Sequence, residues 1–181
     1  QGPHRWDFIV LDAPATGHGL SLLSAPQTIM DLTRAGPLFN NSSMIRDLLA
    51  DRDRTAAVLV TLPEEMPINE TLQLARSLEK NVDIEVAGVV VNAMPPRLFA
   101  DREQREAWND VKAYGMEVGG EARSPVLHAE RTQRERARAD AYVSQLRTQL
   151  DLPIAELPLL ARRDLDVDAL RILGEAIRWT S

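Results

Sequence analysis

Four short apolar runs limit what this chain can fold into: Phe8-Ile9-Val10-Leu11, Ala56-Ala57-Val58-Leu59-Val60-Thr61, Val86-Ala87-Gly88-Val89-Val90-Val91 and the weaker Pro153-Ile154-Ala155-Glu156-Leu157. Each is too short for a helix. The first three lack polar alternation and read as strands buried on both faces, the kind found in parallel sheets. Helical periodicity fills the gaps. Thr71, Leu74, Ala75 and Leu78 form one stripe, with Asn69 as its expected N-cap. Ala139, Tyr142, Val143, Leu146 and Leu150 form a second, and Leu170, Leu173 and Ile177 a third after Asp166 or Asp168. Met44, Ile45, Leu48 and Leu49 make a short amphipathic turn, with breaks expected at Gly36-Pro37 and Asn40-Asn41-Ser42-Ser43. Strand alternating with helix predicts an α/β fold, a parallel sheet flanked by helices with right-handed crossovers.

Residues 97–150 depart from that rhythm. They carry ten basic and nine acidic residues and read as a helical segment inserted before the last strand. Breaks are expected near Gly119-Gly120 and Ser124-Pro125. The charges read either as a solvated face laced with i,i+4 pairs or as a partner-binding insertion.

Composition then excludes several functions. A length of 181 residues fits one domain, and 44% hydrophobic residues can build a core. A net charge of -6 argues against nucleic acid as a partner. Cysteine is absent, so thiolate metal sites, disulfides and cysteine nucleophiles are excluded. His4, His18 and His128 are too widely spaced to suggest a zinc site. No apolar run approaches the ~20 residues of a membrane span, so no stable membrane insertion is expected. Gln1-Gly2-Pro3-His4-Arg5 has no signal-peptide character, and the cytoplasm is the simplest compartment. Lys80 and Lys112 are the only lysines, and neither sits in a Gly-rich stretch. A P-loop needs such a lysine to reach the phosphates, so these residues contain none.

Chemistry concentrates in Asp12-Ala13-Pro14-Ala15-Thr16-Gly17-His18-Gly19, directly after the first apolar run. In open α/β sheets, ligands bind beyond the carboxyl ends of the strands. A carboxylate there can hold Mg²⁺, often through water. Gly17 and Gly19 would let the backbone turn sharply and approach a phosphate, and Pro14 limits where the turn bends. A plain strand-to-helix connection with Asp12 as a cap is the alternative.

The same string resembles the switch II motif of the ArsA-like ATPases, a deviant branch of the P-loop NTPases beside the MinD- and ParA-like proteins. The family includes the arsenite-pump ATPase and the factors that target tail-anchored membrane proteins. Here the motif runs on as Gly19-Leu20-Ser21, departing from the family's Thr and Arg. Further blocks follow in family order. Thr61-Leu62-Pro63-Glu64-Glu65 with Glu70-Thr71 is similar to the segment after the next strand. Val89-Val90-Val91-Asn92 resembles the strand end whose Asn contacts adenine. Arg134 or Arg136 falls where the family has a long basic helix, and Glu156-Leu157-Pro158-Leu159-Leu160 resembles the loop lining the base.

The resemblance implies a partial P-loop NTPase-like fold. Residues 1–181 would be the C-terminal part of an ATPase domain, with the P-loop, its lysine and the switch I aspartate before Gln1. It implies ATP and Mg²⁺ as cofactors. Asp12, Gly17 and His18 would be catalytic, with Asp12 also at the metal, and Pro14, Thr16, Asn92, Pro158 and Leu159 would bind the nucleotide. It implies a homodimer closed by ATP and a protein or anion client. The fragment alone should bind nucleotide weakly and hydrolyse nothing, because phosphoryl transfer is mostly positioning and charge neutralisation. Without cysteine, the zinc of the eukaryotic targeting factors is not expected, and an arsenite pump is disfavoured.

Two alternatives stand beside this. One is a non-catalytic client-binding module on a degenerate NTPase fold. Met30, Met44, Met66, Met94 and Met116 would then line an adaptable apolar surface, or else fill the core. The other is a MinD- or ParA-like positioning ATPase, against which the last helix argues, since its only basic residues are Arg171 and Arg178.

Overall fold

Three of the four apolar runs pair into one parallel sheet of order β1-β2-β3. The computed structural model describes residues 6–14, 16–99, 101–118, 120, 123–162 and 164–180. In chain order the elements are α1 (Thr16–Thr33), α2 (Pro37–Ala50), β1 (Ala57–Thr61), α3 (Glu65–Asn81), β2 (Val86–Met94), α4 (Arg102–Val118), α5 (Arg123–Gln149), β3 (Ile154–Pro158) and α6 (Val167–Ala176). Helices flank the sheet, and α4 and α5 form the helical segment inserted before the last strand.

The chain divides into two compact units, Gln1–Thr55 with Arg76–Glu85, and Ala56–Ala75 with Val86–Ser181. In the first, α1 packs on α2. Gly19, Pro26 and Met30, at helical spacing, form the buried stripe of α1. Arg34 and Gly36, both at positive φ, turn the chain, and Pro37 opens α2 at a position where its missing N–H costs nothing.

The second unit is built on β2, with Val86, Val89, Val90, Val91 and Met94 all buried. Helix α5 lays Ala139, Val143 and Leu146 inward, as its periodicity predicts, and packs on β2. Helix α6 packs on β3, and the Asp166 carboxylate caps it by accepting from the Ala169 N–H at 2.7 Å. Beyond α6, Thr180 pairs antiparallel with Ile154. The Trp179 ring comes to lie over Gly88.

Several expectations need correction. Phe8–Leu11 forms no strand, and its four side chains are 67–82% exposed. An apolar run becomes a strand only where a neighbour satisfies its backbone groups, and none among the described residues does so. The Ala56–Thr61 run is buried on one face only: in β1, Leu59 and Thr61 are buried while Val58 and Val60 are exposed. Among the described residues β1 lies at the edge of the sheet, and no helix packs extensively against it.

Asn69 is not a cap, because α3 already starts at Glu65 and its buried stripe includes Ile68 and Leu72. Pro67 falls in its first turn, where proline is tolerated. Asn40–Ser43 continue α2 rather than break it, and only Ser42 of that helix is buried, while Leu38, Met44, Ile45 and Leu48 are exposed. Ser124-Pro125 sits in the first turn of α5, not in a break, for the same reason as Pro67. Gly119 lies outside the described residues, as do Gln1–Arg5. On α6 the inward face is Ala169, Leu173 and Ala176, with Leu170 and Ile177 exposed. Small side chains there let the helix approach the sheet closely.

A Cβ on Gly88 would lie 2.7 Å from the Trp179 ring and 2.8 Å from the Pro153 carbonyl oxygen. Gly88→Ala should therefore displace the C-terminal tail and cost roughly 1–3 kcal/mol. Urea unfolding measures the cost, and near-ultraviolet dichroism should report the displaced indole.

Candidate functional site

The residues singled out from sequence fall into two groups, one in each unit. In the first unit, Asp12, Ala13 and Pro14 form exposed coil and α1 begins at Thr16. Ala15 and the Thr16 side chain lie outside the described residues. Gly17 and His18 are exposed on the first turn, and Gly19 is buried. The burial has a direct cause: the Pro14 carbonyl presses against Gly19 where any Cβ would sit. The loop thus folds back over the helix start, which requires glycine at position 19. Gly17 has open space around it and no positive φ, so nothing in the geometry demands glycine there. The Ser21 hydroxyl donates to the Gly17 carbonyl at 2.9 Å.

As in any helix the first N–H groups of α1 have no intrahelical acceptor, and no acidic residue occupies its first turn. Such an end carries partial positive charge and suits an anion. Among the described residues no three His, Cys, Asp or Glu side chains converge to hold a metal. Asp12 offers a single carboxylate. That fits Mg²⁺, which keeps several waters and takes phosphate oxygens alongside one or two carboxylates.

In the second unit, Asn92, Pro158 and Leu159 come together at the carboxyl end of the sheet. β2 spends three residues, Val91 to Met94, where β3 spends two, Glu156 to Pro158. This bulge puts Ala93 at φ 59° and turns Asn92 outward between buried Val91 and Met94. The Asn92 Oδ1 accepts from the Ala93 N–H at 2.8 Å, which holds the amide in place and leaves its NH₂ to donate outward. Leu159 donates its N–H to the Met94 carbonyl at 2.9 Å, tying the loop after β3 to the bulge.

One side chain braces this end. Sequence left Arg134 and Arg136 as alternatives, and the structure separates them. Arg134 is exposed, while Arg136 turns inward with 12% of its side chain exposed. Its guanidinium donates to the Pro95 carbonyl at 3.0 Å, to Glu156 Oε2 at 2.8 Å and to Asp140 Oδ1 at 2.9 Å. Arg97 also meets Asp140 at 2.8 Å, and Arg147 stands 3.6 Å from Glu156. Sequence reasoning singled out neither Asp140 nor Pro95, and it quoted Glu156 only inside the loop string. Asp140 follows Arg136 by one helical turn, which is a legible signal. The pairing of Arg136 with Glu156, 20 residues away, is not.

With this geometry in hand, comparison with known proteins is informative. The profile of the family described as Anion-transporting ATPase matches residues 37–118. The ATPase BagA of Mycobacterium tuberculosis is 30% identical over 187 aligned residues, covering 95% of this chain and 53% of that protein. Across the matched residues the chain is similar to the ArsA-like ATPases. A putative arsenical pump-driving ATPase of Halobacterium salinarum is 25% identical across 93% of this chain and 23% of its own length. An ATPase GET3 of Lachancea thermotolerans is 27% identical across 64% of this chain and 42% of its own length. The chain thus spans about half the length of the mycobacterial relative. Its parallel sheet flanked by helices is the α/β arrangement of an ArsA-like, P-loop NTPase-type domain. Among the described residues, no helix is long and apolar enough to cross a membrane.

Arg136→Met should destabilise the chain by roughly 2–3 kcal/mol. That is below the cost of breaking a fully buried pair, because Asp140 and Glu156 are about one-third exposed and partly screened. Arg136→Lys should recover only part of the loss, since an ammonium cannot fork to three acceptors. Paired chemical unfolding curves check both. Gly19→Ala should lift the Pro14 loop off α1 and speed proteolysis between residues 12 and 18, read by limited digestion and mass spectrometry.

Proposed function

We propose that the chain is the nucleotide-sensing and adenine-binding part of an ArsA-like ATPase that couples ATP hydrolysis to binding or transport of a client. The observation carrying this is the Pro14–Gly19 contact, which seats the Asp12 loop against the start of α1, whose first turn holds no acidic residue. A carboxylate beside an anion-binding helix end is the pairing that a magnesium–phosphate group needs. On this reading Asp12 orients the metal's water shell. The Gly17 and His18 amides respond to the terminal phosphate, and Pro14 and Thr16 shape the loop around it. Mg²⁺, when bound, would neutralise phosphate charge.

Asn92 meets the edge of the base with its outward NH₂, and Pro158 and Leu159 line its face. Arg136 positions Asn92 through the Pro95 carbonyl and Glu156 without touching nucleotide. Neither lysine of these 181 residues sits in a Gly-rich stretch, so neither is a P-loop lysine. In that reading the unpaired Phe8–Leu11 string is the strand leading into Asp12, and it pairs when the rest of the domain is present. The working form is a cytoplasmic homodimer closed by ATP, and its client is a protein or an anion.

A second reading, a non-catalytic client-binding module, draws on a different observation. Leu22, Leu32, Leu38, Met44, Ile45 and Leu48 are exposed on α1 and α2. A groove of about 600 Å³ opens beside Phe39, Met44, Ile45 and Leu48. Met30 and Met94 fill the core, whereas Met44, Met66 and Met116 are exposed and free to line a surface.

Calorimetry with Mg·ATP separates the readings. In a protein extended upstream to include a P-loop, Asp12→Asn should weaken Mg²⁺-dependent affinity about tenfold or more and reduce turnover about 100-fold. The fragment alone should show no turnover. Robust hydrolysis by the fragment, or Mg·ATP affinity indifferent to Asp12→Asn, would overturn the assignment.

A further inference from the structure

Among the described residues, Arg34, Asp83 and Ala93 are the non-glycines with positive φ. Arg34 and Asp83 lie in the connections after α1 and α3, where the chain reverses. Ala93 is different, because it stands inside β2. A left-handed alanine crowds its Cβ against a carbonyl oxygen, and such a residue persists only where its surroundings over-determine it. Here they do. Val91, two residues earlier, is in register with Glu156 of β3. On the other side, the Met94 carbonyl accepts from the Leu159 N–H at 2.9 Å and the Pro95 carbonyl from Arg136 at 3.0 Å. The chain is pinned before and after Ala93, and the strained backbone sits between the pins.

The strain orients a neighbour. The Ala93 N–H donates to Asn92 Oδ1 at 2.8 Å instead of to an adjacent strand. A carboxamide has one donor end and one acceptor end, so by turning over it can read either of two opposite edges. Adenine sets a donor amine beside an acceptor ring nitrogen. Guanine sets an acceptor oxygen beside a ring N–H. An asparagine free to turn over would therefore serve both bases. With the Ala93 N–H against it, turning over would set the NH₂ against a second donor and leave that N–H unpaired. The oxygen stays inward and the NH₂ outward. An outward donor suits the ring nitrogen of adenine and opposes the ring N–H of guanine.

We propose that Ala93 is a positioning residue that determines base specificity: its left-handed backbone locks the Asn92 carboxamide in the orientation that accepts adenine and rejects guanine. Ala93 itself touches no nucleotide. The proposal rests on the adenine reading of Asn92 given above and adds the device that discriminates between purines. Discrimination comes from the repulsive pairing, donor against donor, as much as from the attractive one.

Titration of the full chain with ATP and with GTP tests it, followed through the Asn92 side-chain and Ala93 backbone amide resonances. The native chain should bind ATP about tenfold or more tighter than GTP. Ala93→Val should bring that ratio close to one, because a β-branched residue does not hold a left-handed backbone. Unchanged Val89 and Val91 amide shifts would show that its sheet is intact. Ala93→Gly, which adopts the same backbone without strain, should keep the ratio and unfold at higher urea. Asn92→Asp keeps an oxygen for the Ala93 N–H but replaces the outward donor with an acceptor, so it should shift preference toward GTP. A native chain without preference for ATP, or an Asn92→Asp chain with the native ratio, would overturn the adenine reading and the proposal with it. A ratio that responds to Asn92→Asp yet survives Ala93→Val, or is lost in Ala93→Gly, would overturn the role of Ala93 alone.

Discussion

The guanidinium of Arg136 is the interaction on which the carboxyl end of the sheet depends. It reaches from α5 to a backbone carbonyl after β2, a carboxylate on β3 and a carboxylate one turn along its own helix. No other side-chain type satisfies three acceptors in that fork. The charges are only partly exposed, so their attraction is screened less than at an open surface, while desolvation stays modest because Asp140 and Glu156 keep contact with water. The brace acts where β2 bulges. Without it, the residues after Asn92 would keep the Leu159–Met94 hydrogen bond and the Arg97–Asp140 pair but lose the direct hold on Pro95.

In the other unit, the loop before α1 rests on the absence of a side chain. Gly19 lets the Pro14 carbonyl approach α1 closer than any Cβ would permit. That contact, not the flexibility of Gly17, shapes the loop. A brace of three hydrogen bonds beside the β2 bulge and a loop seated by one steric contact at the start of α1 are different kinds of construction. The first resists change, and the second rests on a single close approach.

Much of the architecture was legible because periodicity alone carries it. The runs at β1, β2 and β3 have the right length and composition for strands, and the Ala139–Leu146 stripe repeats at helical spacing. The helix boundaries were less legible. Asn69 and Asn40–Ser43 look like caps and breaks, yet lie inside helices. Their local preference for turns is worth about a kcal/mol or less per residue, and packing of the neighbouring positions outweighs it.

Residue pattern by itself determined the parallel α/β class and the inserted charged helices. Those follow from short-range spacing and residue type. Only the tertiary structure decided that Arg136 rather than Arg134 turns inward, that Gly19 rather than Gly17 must be glycine, and that Phe8–Leu11 stays unpaired. Each depends on which distant backbone or carboxylate arrives at that point, and a one-dimensional pattern carries no such distance.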